Sequence, residues 1–277
     1  MKRTQLLAGV AASLCLLPPL TRRWDDWLQS HHEHDEEYLR KDGKGTLKLA
    51  SSRPTRAAQI ARGVLSCLAF LAAADVLVAR KMRDDTSRYF LLHTLANAVI
   101  TLSSFDDMRK VLTDPINEAL GRVNILPTYM IPCLFSYHLT CFKNVPAEEW
   151  QHHLIFGLGL SGPQLRYCAG PIQNAVGFFM CGLPGGIDYA MLAAVKEGLL
   201  TSKTEKVWNS RIQVWCRSPG ILLAAYAIYL CSRYAPVHGP PKVLPLLAFA
   251  LASFNGQYYM QKVVANTSLK CDGQGAC

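Results

Sequence analysis

The sequence predicts an all-α, polytopic membrane protein with about seven transmembrane helices, and three observations carry that prediction. The first is charge segregation. Seven stretches, 63–79, 89–105, 123–142, 150–165, 167–195, 218–232 and 243–261, make up 133 of the 277 residues yet hold only two of the 49 charged ones, Asp75 and Asp188. Soluble folds, disordered chains and coiled coils spread charge more evenly. The second is length, because each stretch approaches the ~20 apolar residues with which a helix crosses a bilayer. The third is polar punctuation between the stretches. The mean hydropathy of +0.11 hides this pattern, since the other 47 charges crowd into the remaining 144 residues.

Residues 1–23 place Lys2-Arg3 before an apolar run from Leu6 to Leu17, then Pro18-Pro19 and Arg22-Arg23. That is the form of a targeting segment or an interfacial anchor, with cleavage left open. Residues 24–62 are hydrophilic, acidic around Asp35-Glu36-Glu37 and basic from Arg40 to Arg56, and predict a partly disordered extramembrane segment. The transmembrane domain is expected over 63–265. Arg80-Lys81-Met82-Arg83-Asp84-Asp85 separates its first two helices, and residues 106–122 form a longer connection. Pro146 with Glu148, Glu149 and Trp150 suits a fourth helix start, because proline, acids and an interfacial tryptophan all favour that place. The fifth helix carries Gly182-Leu-Pro-Gly-Gly186 and is expected to break or kink beside something polar. Residues 196–217 are expected to be the largest polar loop, and 266–277 a polar tail. Lys and Arg counts in alternate loops are 13 against 12, so the positive-inside rule selects no orientation.

The net charge of +9 is spread among these loops, which suits lipid headgroups and excludes a nucleic-acid interface. Six of the ten cysteines lie in the apolar stretches and no CxxC or CxxH occurs, so neither a disulfide scaffold nor a zinc finger is expected. His31-His32-Glu33-His34-Asp35 has metal-binding residue types, but the acids around it suit a solvated charged segment. No metal ion and no resident cofactor is therefore expected.

Polar side chains inside the apolar stretches are the candidate sites, because an ionisable group in a membrane helix costs about 2.5–3.5 kcal/mol on insertion scales. Asp75 lies about a turn from Arg80-Lys81 and is expected to snorkel to the interface. His152-His153 offers an imidazole with an ordinary pKa near 6.5, about right for general-base or nucleophilic work at neutral pH. Adjacent helical residues point about 100° apart, so one of the pair faces a site while the other bonds a neighbouring helix or meets headgroups. Asp188 follows the Gly185-Gly186 break, as a partner for a histidine or as an N-cap where the helix restarts.

Glu148-Glu149-Trp150-Gln151-His152-His153 resembles the TLC domain shared by ceramide synthases and translocating-chain-associated proteins. The similarity continues through Gly182-Leu-Pro-Gly-Gly-Ile-Asp188-Tyr, Asn209-Ser-Arg-Ile-Gln-Val-Trp215-Cys-Arg-Ser-Pro-Gly220 and Asn255-Gly-Gln-Tyr-Tyr-Met260, and covers roughly 60–265. It is greatest with plant and protist members that have no assigned activity. The resemblance implies a seven-helix bundle around a lipid-accessible cavity in the endoplasmic reticulum, with an organellar membrane as the alternative. In the enzymatic members a double histidine and an acidic pair form an amide between an acyl-CoA and a sphingoid base. Only Asp188 stands where that acidic pair is expected, and the wider synthase signature is absent.

Three functional expectations follow. The leading one is a protein that binds, senses or distributes lipids, an acyl chain or a sphingolipid, in a cavity lined by His138, Asn174, Asn255 and Tyr258. The second is an acyltransferase with His152, His153 and Asp188 as catalytic groups and acyl-CoA as co-substrate. The third is a structural subunit of a membrane complex that docks partners through residues 24–62 and 196–217.

Overall fold

The computed structural model describes residues 19–28, 39–41, 47–49, 57–118, 123–143, 146–166, 170–234 and 243–272. Of the expected targeting segment over 1–23, residues 1–18 lie outside them, as do the His31–Asp35 cluster and residues 273–277, while 19–23 are helical. Apart from turns and short connections, the described residues are helical, with one small antiparallel strand pair, β1 Leu39–Lys41 and β2 Leu47–Leu49. Helix α1 covers residues 19–28, α2 Ala57–Leu77, α3 Asp85–Thr113 and α4 Leu126–Cys141. Helix α5 covers 147–166, α6 Pro171–Lys196, α7 Ser202–Tyr234 and α8 Val243–Asp272.

All seven apolar stretches lie largely within helices α2 to α8. Among the described residues three helical segments, Ile60–Lys81, Pro171–Lys196 and Ser202–Tyr234, are long and apolar enough to cross a membrane. Helix α4, with 16 residues, reaches only about 24 Å, short of the ~30 Å hydrocarbon core. Two of the expected connections are helical. Residues 106–113 extend α3, and residues 202–217, expected within a polar loop, are the first half of α7. Residues 24–28, expected in an extended hydrophilic segment, belong to α1, whose Trp24 Nε1 donates to Ser66 Oγ at 3.1 Å and whose Asp25 accepts from the Ile125 amide at 3.0 Å.

The helices gather around two apolar cores. Cys67, Leu71, Leu92, Ala96, Val99, Ile100, Leu126, Met130 and Leu134 join α2, α3 and α4. Val111, Ile172, Ala175, Val176, Ile221, Ala224, Ala225, Ile228 and Ala252 join α6, α7 and α8 with the end of α3. The second core is built of alanine and branched aliphatics, the small residues that let helices approach closely where the hydrophobic effect does not drive them together. Gly220 is the tightest approach: a Cβ there would overlap the Phe179 ring, including its Cγ. Gly220→Ala should therefore lower the stability of the detergent-solubilised protein by about 1–3 kcal/mol, the usual result of overpacking, measurable as a drop in thermal midpoint. The outer faces remain apolar, with Leu65, Leu154, Ile155, Leu223 and Phe254 at least half exposed.

A proline accounts for each of the three π-helical segments among the described residues. They are His153–Ser161, Phe178–Gly182 and Gln213–Arg217, and each ends two residues before a proline, Pro163, Pro184 and Pro219. Proline has no N–H for the carbonyl four residues back, so the preceding turn widens and frees carbonyls for other donors. The expected break in the fifth helix is thus a π segment within a continuous α6. Asp188 stands well inside that helix, and the N-cap reading fails because the turn before it is already helical.

Asp75 also departs from expectation. It is fully buried among the side chains of neighbouring helices and does not extend outward to solvent. Arg88 of α3 grips it with two hydrogen bonds of 2.6 Å, Tyr137 of α4 donates to it at 2.9 Å, and Arg80 lies 3.5 Å away. The pair clasps three helices. Helix α3 itself starts on Asp84, whose Oδ1 accepts from the Ser87 amide at 2.7 Å. That hydrogen bond holds the Asp84 carboxyl below the usual carboxylate range. A depressed folded pKa stabilises above the unfolded value and loses that effect as pH falls through the folded one. Asp84→Ala should lower stability by about 1 kcal/mol at pH 7, with the deficit vanishing in acid, as thermal melts at pH 7 and below pH 4 would record.

Candidate functional site

Four histidines from three helices meet beneath the apolar shell. His93 of α3 bonds through Nδ1 to the Tyr89 carbonyl at 2.9 Å, one turn back, and its ring lies edge-on to His138 with centroids 5.4 Å apart. His138 of α4 places Nδ1 2.8 Å from His153 Nε2 of α5. His153 also lies 3.8 Å from Glu149, which is one turn earlier on the same helix and so on the same face. His152 turns the other way, and its Nδ1 meets the Tyr259 hydroxyl of α8 at 2.8 Å. Tyr89 and Tyr189 close the cluster, their hydroxyls 3.4 Å apart and both rings packed on His93. His93, His138 and His153 are almost completely buried.

The double histidine is therefore divided as its helical geometry requires. His153 points to His138 and Glu149, while His152 anchors to a different helix. Since His138 Nδ1 and His153 Nε2 face each other, one of them carries the proton between them and the other offers its lone pair. His153 Nδ1 is buried without a hydrogen-bond partner.

Asp188 does not orient either histidine, because no hydrogen bond joins it to His152 or His153 among the described residues. Glu149 is the carboxylate beside His153. The charged groups that act on Asp188 are Glu205, Lys206 and Arg217. Glu205 and Arg217 belong to a second polar system, a ladder along α7. Glu205, Asn209, Gln213 and Arg217 recur every fourth residue and are all buried. Asn209 donates to Glu205 at 3.4 Å, Gln213 to Asn209 at 3.3 Å, and Arg217 to Gln213 at 3.2 Å. Arg217 completes its fork with Asn255 Oδ1 of α8 at 2.7 Å and the Met180 carbonyl of α6 at 3.0 Å. Met180 is the residue four before Pro184, whose missing N–H leaves that carbonyl free. The Arg217 guanidinium also lies 5.5 Å from the centre of the Tyr259 ring, which links the ladder to His152.

Of the four residues expected to line a lipid cavity, His138 is in the histidine cluster and Asn255 in the ladder. Asn174 is buried elsewhere, donating to Asp107 and to the Asn124 carbonyl at 2.7 Å each, where it fastens α6 to the end of α3. Near that fastening a cleft of about 450 Å³ opens between α1 and α3, lined by Arg22, Asp25, Asp106, Asp107 and Lys110. Tyr258 faces outward, 41% exposed and stacked on Phe254. By charge the ladder residues read as a polar loop, although the four-residue spacing of Glu205, Asn209, Gln213 and Arg217 is a helical signal. Glu149 reads in the sequence as an acid at a helix start, and only its place four residues before His153 points to the site.

Compared with known proteins, the chain matches no family model, no curated protein and no solved structure.

Proposed function

We propose that this chain is a polytopic membrane protein of the TLC type that binds and distributes lipids, with the histidine–tyrosine cluster as the polar end of the lipid site. The observation that supports it is the convergence of His93, His138, His152 and His153 with Tyr89, Tyr189 and Tyr259 inside a bundle whose outer faces are apolar. Desolvated imidazoles and phenols supply hydrogen bonds for an amide, hydroxyl or ester headgroup, and a surrounding apolar wall suits acyl chains. An endoplasmic reticulum membrane is the proposed location, on the resemblance of its motifs.

The test is lipid extraction from purified protein, with mass spectrometry against a detergent-only control. The expected result is a defined acyl lipid or sphingolipid at about one per chain that is lost from His138→Phe. No lipid above the control overturns the reading.

A second reading, acyl transfer, draws on the hydrogen bond between His152 and Tyr259. The tyrosine fixes the ring, and the imidazole takes a proton from the attacking amine as its nitrogen bonds to the thioester carbon. The C–S bond then breaks and the proton passes to the leaving thiolate. Incubation with acyl-CoA and a long-chain base should yield amide, and His152→Ala should reduce the rate by about 10²–10⁴-fold. Equal rates in the two proteins exclude this reading.

A further inference from the structure

We propose that His138, Glu149 and His153 form a binding site for one divalent transition-metal ion of the zinc class. The site uses side chains of the histidine cluster but does not depend on the lipid reading.

One donor atom from each of the three residues lies within 4.8 Å of the other two. Two are ring nitrogens at 2.8 Å and the third is a carboxylate oxygen 3.8 Å from His153 Nε2. In tetrahedral zinc coordination, with bonds of about 2.0–2.1 Å, neighbouring donors stand about 3.3 Å apart. The nitrogen pair must open by about half an ångström, and the carboxylate must close by about half an ångström toward His153 and by roughly 1 Å toward His138. Side-chain rotations of about 10–20°, within the width of a rotamer well, supply these shifts.

The chemistry points the same way. Two imidazoles and one carboxylate are the donor set that zinc and other first-row divalent ions accept, while the harder magnesium and calcium take oxygen ligands. His138 Nδ1 and His153 Nε2 aim at one another, so without an ion only one of the two lone pairs can be met, by the other's N–H. An ion between them meets both and displaces that proton. Glu149 and His153 stand one turn apart on α5, the helical spacing that puts two ligands on one face. His138 arrives from α4, and the ion would tie those two helices together. Three protein donors leave a fourth position for water or a ligand oxygen, as in zinc sites that act on bound molecules. His93 and Tyr89 pack against His138, with ring centroids 5.4 and 4.3 Å from its own, and wall that side.

The experiment uses the full-length protein in detergent, stripped with chelator, loaded with zinc chloride, desalted and measured by plasma mass spectrometry. The expected result is about one more zinc per chain in the wild type than in His138→Ala/His153→Ala, and at least a tenfold weaker affinity in Glu149→Gln. Zinc kept by the double variant reports the His31-His32-Glu33-His34 segment and serves as the baseline. Cobalt loading should give visible absorption bands in the wild type that the double variant lacks. If the double variant fails to elute as a monodisperse peak, the Glu149→Gln comparison decides alone. Wild-type zinc and cobalt binding equal to Glu149→Gln overturns the proposal, as does binding no greater than that of a folded double variant. Zinc without co-purifying lipid leaves the metal site standing and removes the lipid reading, and lipid without zinc does the reverse.

Discussion

Asp75→Ala lowers the thermal midpoint of the solubilised protein by roughly 10 °C, the equivalent of about 3–5 kcal/mol for a chain of this size. The substitution removes the acceptor for two 2.6 Å hydrogen bonds from Arg88 and one from the Tyr137 hydroxyl. Arg88, whose side chain is only 15% exposed, then keeps its charge against the Phe142 ring with no counter-ion beyond the exposed Asp85. An orphaned buried charge is costlier than the pair it came from is valuable, because most of the penalty is desolvation. That asymmetry separates the ion-pair account from simple loss of packing. In a double-mutant cycle, Asp75→Leu/Arg88→Leu should melt above either single variant, since apolar side chains in both positions leave no charge to solvate. A double variant that melts at the sum of the two single deficits refutes the clasp.

The position of Asp75 also measures what the sequence can disclose. Its presence in an apolar stretch marked it as exceptional, and Arg80-Lys81 one turn away suggested an exposed partner. Arg80 does lie 3.5 Å from it, but the partner that grips it, Arg88, is 13 residues distant, and reaching it requires the chain to turn through Ala79–Lys81 and start α3 on Asp84. Local patterning is blind to such a contact. The same holds for His138 with His153 and for Arg217 with Asn255, which pair side chains from different helices. What local patterning does carry is periodicity. The seven apolar runs announced the helices because apolar length is a property of one segment, and the ladder at 205, 209, 213 and 217 was equally legible once charge was no longer taken to mean loop. Asp188 misled for a related reason. The Pro-Gly-Gly before it looks like a helix break, whereas the interhelical packing needs those glycines. A Cβ on Gly185 would come within 3.0 Å of Asn97 Nδ2 on α3, so the glycine is there for a close approach.

The ladder supplies the other large effect. Arg217→Leu should reduce the fraction of protein that survives solubilisation and heating as a monodisperse peak, with a loss of about 3 kcal/mol or more. Three acceptors lose their donor together: Gln213 Oε1, Asn255 Oδ1 and the Met180 carbonyl. Each buried acceptor left unpaired costs about 1 kcal/mol at the low end of the range. The Met180 carbonyl is the decisive one, because the donor four residues on in α6 is missing. Pro184 stands four residues on with no N–H, and the π turn that accommodates it holds the carbonyl toward α7. Pro184→Ala returns that N–H. In a Pro184→Ala background, then, the carbonyl has an intrahelical donor and Arg217→Leu should be milder by about 1 kcal/mol. Arg217→Lys retains the charge but not the planar fork, so it should fall between wild type and leucine. Equal losses in the proline and alanine backgrounds would mean that the bond to the freed carbonyl contributes nothing and that the arginine acts through Gln213, Asn255 and its charge.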